Sequence, residues 1–282
     1  MTAVAGPPPP EPFFLDGPAG RLFGLYYPPA PSGNAKRGVV VVPAFAEEMN
    51  QSRRMVALQA RALAGAGIGA LVVDVYGTGD SAGDFRDARW QMWQGDIGAA
   101  IAWLETRGHG PIGLLGIRLG GLLAMEIAAA NPGRVDRAVL WQPIARGERM
   151  LTQFLRLRVA AAMGGSATQE TTNALRDAFA GGQAVEIAGY EIAPELAAAL
   201  DSADITGLGT AAGISVAWLE VVAEDGRPLS PASRKVVDGW SEAGVPVTSA
   251  IIPGDAFWSI QETTIVPELL DVTTELFDSV GP

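Results

Sequence analysis

The chain has 282 residues, 48% apolar and 18% charged, which suits one α/β domain carrying an insertion. Twenty basic against 31 acidic side chains give a net charge of -11, which repels phosphate backbones and anionic lipid and excludes nucleic-acid and membrane-surface binding. The absence of cysteine and the single histidine, His109, exclude thiolate nucleophiles, Cys–zinc sites and His-rich metal centres. No apolar run reaches the ~18 residues of a membrane span. The opening MTAVAGPPPPEPFF lacks a basic n-region and an apolar h-region, so a cytoplasmic protein is expected.

In chain order, residues 1–12 read as a Pro-rich extended arm, followed by short strands at 13–15 and 21–27. Residues 39–42 are a continuous β-branched run, the signature of a strand buried on both faces. Helices are predicted at 52–66, 90–106 and 119–130, with strands at 70–74, 112–117 and 138–141 between and after them. Such alternation is the grammar of a parallel sheet with crossover helices on both faces. It lapses between 143 and 213, where helices at 149–163, 171–180 and 194–202 and a short strand at 184–189 read as a lid inserted into the sheet. The sheet resumes with strands at 216–223 and 247–252, a helix at 231–243 between them, and a closing helix striped by Leu269, Val272, Leu276 and Val280. The expected division is therefore an arm at 1–12, a core from 13–143 and 214–282, and a lid insertion at 144–213.

The strand at 112–117 runs into Gly116-Ile117-Arg118-Leu119-Gly120 and then a helix. Strand, tight turn and helix with flanking glycines spell the nucleophile elbow of an α/β-hydrolase, normally G-x-S-x-G. Here the central residue is Arg118, which cannot attack an acyl carbon. Three other landmarks fall in order: Pro43-Ala44-Phe45 at the oxyanion loop, Asp74-Val75-Tyr76-Gly77-Thr78-Gly79-Asp80-Ser81 after the fourth sheet strand, and Glu224-Asp225 where a triad acid belongs. The fold expected is thus an α/β-hydrolase with a mostly parallel central sheet, helices on both faces and a helical lid. Its Ser-His-Asp triad is missing. Gly254-Asp255-Ala256-Phe257-Trp258 replaces the usual Gly-x-x-His turn, and His109, placed at the far end from the catalytic edge, reads as a surface histidine. Neither lysine, Lys36 or Lys235, falls near a candidate serine, and Ser81 reads as a residue that hydrogen-bonds its own turn.

The segment 43–55 (PAFAEEMNQSRRM), the loop 77–85, Arg89-Trp90, the Arg-bearing elbow, Gly189-Tyr190 and Phe257-Trp258 resemble the second type of exosortase A system-associated hydrolases. The resemblance runs from about Phe13 to the C-terminal helix. It implies an α/β-hydrolase-like bacterial protein linked to systems that sort PEP-CTERM proteins and make exopolysaccharide. It also implies that arginine in the elbow belongs to the family pattern, and it supplies no substrate.

Beside a helix N-terminus Arg118 needs a carboxylate partner or an anionic ligand. Glu47, Glu48, Asp80 and Asp225 are predicted to converge on it, one carboxyl serving as acid and another as base, with water as nucleophile. Phe45, Asn50, Ser81, Leu119, Trp141, Phe257 and Trp258 are candidate ligand-lining residues. The expected ligand is a small molecule of anionic, acyl or glycosyl type. The alternative is a retired hydrolase fold serving as a binding or scaffold protein, with Arg118 locked to Glu47 or Glu48. Trp90, Trp93 and Trp103 read as core at helical spacing. Asp84, Asp87 and Asp96 lack a metal-ligand spacing, and Gly77-x-Gly79 lacks the rest of a dinucleotide fingerprint, so no metal and no cofactor are implied.

Overall fold

The computed structural model describes residues 6–31, 37–162, 170–224 and 226–279. Its strands are β1 (Glu11–Asp16), β2 (Arg21–Tyr27), β3 (Gly38–Val42), β4 (Gly69–Val73), β5 (Ile112–Ile117), β6 (Val135–Trp141), β7 (Val185–Ile187), β8 (Tyr190–Ile192), β9 (Ser215–Val222) and β10 (Val247–Pro253). The helices are α1 (Glu47–Gly65), α2 (Trp90–Thr106), α3 (Leu119–Ala130), α4 (Gly147–Ala162), α5 (Thr172–Ala180), α6 (Pro194–Ser202), α7 (Leu208–Ala212), α8 (Pro231–Glu242) and α9 (Pro267–Asp278). Among the described residues eight strands form one sheet in the order β1-β2-β4-β3-β5-β6-β9-β10. β1 and β2 pair antiparallel, as do β2 and β4, and the other neighbours are parallel. This is the α/β-hydrolase fold.

Alternation within β3 shows how the sheet makes two cores. Val40 and Val42 face the layer holding α2, α3 and α8, whereas Val39 and Val41 face α1 and α9. The insertion between β6 and β9 has no core of its own. Leu151, Leu155, Leu196 and Leu200 continue the apolar layer of α2 and α3, and Arg86–Glu191 and Arg89–Glu195 ion pairs tie it to the loop before α2.

Several expectations are corrected. Glu11 and Pro12 belong to β1, not to an arm, because Phe13 stacks on Trp103 at 4.2 Å and draws the strand onto the sheet edge. α1 starts at Glu47, five residues before the predicted start, since acidic residues are favoured in a helix's first turn. β8 and α7 were not predicted. β8 follows a tight hairpin turn, with Ala188 at φ 51° and Gly189 at φ 86°, so the single strand expected at 184–189 is the first arm and the turn of a hairpin. The buried face of α9 is Leu269, Thr273 and Phe277, because the Thr273 hydroxyl accepts the indole N–H of Trp141 at 2.8 Å. Val280 lies outside the described residues. His109 is buried, not on the surface: its Nε2 shares a 2.7 Å hydrogen bond with the Tyr26 hydroxyl, its ring packs on Gly69 and its Cβ on Gly38.

Two strand-to-helix turns leave the same edge of the sheet in nearly the same strained conformation: Ala46 at φ 52°, ψ -125° before α1, and Arg118 at φ 55°, ψ -119° before α3. A Cβ on Gly120 would come within 2.4 Å of the Val42 carbonyl oxygen, and one on Gly116 within 2.6 Å of the Gly121 Cα. Glycine at both places lets α3 close onto β3 and β5.

Asp96, on α2, is fully buried; its Oδ2 accepts the Tyr76 N–H at 2.8 Å, and Oδ1 meets no hydrogen-bond partner among the described residues. Burial pushes its carboxyl from 3.8 up to about 6, opposed by the Tyr76 bond. An acid whose folded value is raised contributes stability that is full below the unfolded value and lost as pH rises through the folded one. Asp96→Asn keeps an oxygen for Tyr76 without the charge. It should raise stability at pH 7.5 by on the order of 1–3 kcal/mol and leave it unchanged at pH 4, read from melts at the two pH values.

Candidate active site

The elbow backbone is held from both sides: Arg118 N–H donates to the Trp141 carbonyl at 2.9 Å, and the Arg118 carbonyl accepts from Ile144 N–H at 3.2 Å. Its side chain points across the end of the sheet to the first turn of α1. Nε lies 3.1 and 3.3 Å from Oε1 and Oε2 of Glu48, and Nη2 lies 3.1 Å from Oε1. Nη1 donates to the Gln142 carbonyl at 3.2 Å, and the guanidinium sits 5.1 Å from the centre of the Trp258 ring. Arg118 is 8% exposed, so its charge depends on Glu48. Burial pushes the Glu48 carboxyl up, and the charge and hydrogen bonds of Arg118 pull it back without cancelling the rise.

Gln142 makes this arrangement possible and carries no motif that sequence reading could have found. At φ 44° it directs its carbonyl to Arg118, while its side-chain oxygen accepts Val221 N–H at 2.7 Å and spans from β6 to β9.

Glu47 stands beside Glu48 with a different role. Its Oε2 accepts from Asn50 Nδ2 at 3.1 Å and from the Tyr190 hydroxyl at 3.4 Å, and Asn50 also donates to Tyr190 at 2.8 Å. Burial and the Glu47 carboxylate raise the Tyr190 hydroxyl. Glu47, Glu48, Gln51, Phe154, Leu157 and Trp258 are among the walls of a cleft of about 200 Å³, closed by α4 on its apolar side. Gln51, Phe154 and Leu157 were not singled out in the sequence. Gln51 Oε1 is buried there without a hydrogen-bond partner among the described residues.

The other predicted site residues lie elsewhere. Asp80 is exposed, and its N–H is tied to Asp74 Oδ2 at 3.1 Å, so the loop presents its backbone inward and not its carboxylate. Asp225 lies outside the described residues, and its neighbour Glu224 is paired on the surface with Arg227. Ser81 accepts from Phe23 N–H and donates to the Asp74 carbonyl, closing its own turn. Phe45 and Leu119 are buried, Phe45 edge-on to Phe85 and Phe154. Trp141 is wholly buried, with its N–H on Thr273, and lines no cleft. Phe257, standing where a hydrolase carries histidine, is buried between Trp141 and Trp258.

Chemically, this is a carboxylate of raised proton affinity, neutralised by a buried guanidinium at the edge of a half-apolar cleft. His109 is at the other end of the sheet and Lys235 is on the surface, and the arginine that meets a serine, Arg137 at the Ser279 hydroxyl, cannot act as a base because a guanidinium does not deprotonate. Fluorophosphonate probes should leave the protein unlabelled by mass spectrometry. Arg118→Met would strand Glu48, costing on the order of 3–5 kcal/mol at pH 8. The loss should shrink as pH falls, because burial raises the Glu48 carboxyl and proton uptake removes the stranded charge, and denaturant titrations at pH 8 and at acidic pH measure it.

A family model described as serine aminopeptidase, S33, matches residues 33–179. No curated protein matches the sequence. Among solved structures, Est1E from Butyrivibrio proteoclasticus with bound ferulic acid aligns with a TM-score of 0.67 at 17% identity over 94% of this chain and 96% of its own. A lidless α/β serine hydrolase from Xanthomonas campestris, XC6422, gives 0.56 at 16% over 95% and 93%. The proline iminopeptidase of Mycobacterium smegmatis gives 0.62 at 15% over 95% and 97%. At these identities the likeness is one of fold.

Proposed function

The chain belongs to the serine aminopeptidase S33 family of α/β-hydrolases, and from that premise we propose that it is a hydrolase-type enzyme acting without a serine nucleophile on a small acyl substrate. The observation that carries this reading is the Glu48 carboxyl, raised by burial and held by Arg118 at the wall of the cleft. In the proposed reaction the acyl group lies along Phe154 and Leu157, and Glu48 takes a proton from water as that water attacks the acyl carbon. As Glu48 is protonated, Arg118 loses its counter-ion at the moment the oxyanion forms, and the guanidinium turns its charge to the new anion; when the tetrahedral adduct collapses, the bond to the leaving oxygen breaks and Glu48 returns its proton to that oxygen.

Charge supports an acyl substrate over an anionic one, because Glu47 and Glu48 outweigh Arg118 around the cleft. A glycosyl substrate would draw on Glu47 as a second acid, yet Glu47 already accepts from Asn50 and Tyr190. The Est1E neighbour holds ferulic acid, the free acid of an aromatic acyl group, which supports the acyl class by analogy of fold. A finer assignment, to the second type of exosortase A system-associated hydrolases, is supported by the way its motif residues meet in space. The segment Glu47–Asn50 and the residues Arg118, Tyr190 and Trp258 are far apart in the chain and adjoin one another at this edge of the sheet.

The retired-enzyme reading is favoured by one observation, the use of both Glu48 oxygens by Arg118. A panel of p-nitrophenyl acyl esters decides between them. Turnover should rise with pH through the raised value of Glu48 and fall at least 100-fold in Glu48→Gln; Arg118→Ser should lose it too and gain no serine mechanism in exchange, since Phe257 still fills the histidine position. No turnover across acyl, glycosyl and phosphoryl panels, together with a clearly lowered melting temperature of an Arg118→Met/Glu48→Leu protein, would establish the structural pair instead.

A further inference from the structure

A second cavity lies on the opposite flank of α1 from the cleft. Glu47, Glu48 and Gln51 face the cleft, whereas Met49, Ser52, Arg53, Val56 and Ala57 face the cavity, so one helix divides the two. Its volume is about 190 Å³. The floor is formed by Tyr27, Val41, Val72 and Ile117 from four adjacent strands and is apolar apart from the tyrosine hydroxyl. The cavity is open at its rim beside the exposed Arg53, so a ligand can enter it, and its apolar floor gains dispersion contacts when a ring fills it. An enclosed apolar cavity of about 150 Å³ takes up benzene, so a space of this volume is enough for one aromatic ring.

The rim carries opposite charges that cancel. Arg53 Nη2 is 3.4 Å from Asp74 Oδ1, and Asp74 Oδ2 accepts the Asp80 N–H. A charged ligand would have to break that pair, whereas a neutral one passes it. We infer that this cavity is a second small-molecule site, built for a neutral group the size of a single aromatic ring. The inference does not depend on the reaction assigned to the cleft.

The test is a methyl-resolved NMR titration of the whole protein with benzene, beside thermal melts. Saturable ring-current shifts are expected at Val41, Val56 and Ile117, with Met150 and Leu157 of the cleft unmoved. The melting temperature should rise by about 2–5 °C at ten times the dissociation constant. Ala57→Phe, from α1, and Val72→Phe, from β4, each fill the cavity and should abolish both effects. If one variant does not fold, the other carries the comparison. Shifts confined to Met150 and Leu157, no saturable shift in the parent, or an undiminished shift in a folded filled variant would overturn the proposal.

Discussion

A guanidinium that is nine-tenths buried beside the positive end of a helix must find a counter-charge within reach, and much of this edge of the sheet is arranged around that need. Arg118 cannot move away, because its backbone is pinned between Trp141 and Ile144 and its helix is pressed onto β3 by Gly120. Glu48 meets it because α1 begins as early as residue 47, directly after the strained turn at Ala46. Trp258 then covers the pair from the β10 side, and Gln142 takes the remaining donor with a backbone carbonyl. Each of these partners comes from a different crossover of the sheet. The pair therefore also joins β3, β5, β6 and β10 at their ends.

The insertion is joined to this edge by polar contacts and to the body by apolar ones. Tyr190 reaches Asn50 and Glu47, and the two arginines before α2 reach Glu191 and Glu195. Exposed ion pairs of this kind contribute little to stability, roughly 0–1 kcal/mol each. The leucines of α4 and α6 hold the insertion in place. Its polar contacts set which face of α4 borders the cleft.

The fold was legible wherever the hydrophobic pattern has one reading. The β-branched run of β3 and the glycine-flanked turn into α3 admit little else, and the spans of α2, β5 and α3 match residue for residue. The start of α1 was obscured because Glu47-Glu48 reads as a polar loop until the helix dipole is considered. Thr273 was missed because its burial follows from a hydrogen bond to Trp141, 132 residues away. At the candidate site, the meeting of Arg118 with an acid of the oxyanion loop could be anticipated from landmark order. Asp80 was misplaced because residue type does not tell whether a loop turns its carboxylate or its N–H inward. Gln142 and Gln51 were invisible for a related reason: one acts through its carbonyl and the other through tertiary burial.

The position of His109 has a consequence of another kind. The chain has a single imidazole, and it is packed between Gly38 and Gly69 with its ring on the Tyr26 hydroxyl, at the end of the sheet remote from Arg118. Its ring protons form a spectroscopic address that needs no labelling scheme and no assignment by mutation. Changes made at the cleft and changes that loosen the whole sheet would be told apart by that one signal, since only the second kind reaches the contact between β2 and the start of β3. The residue that a catalytic triad would have claimed serves here as a gauge of the scaffold.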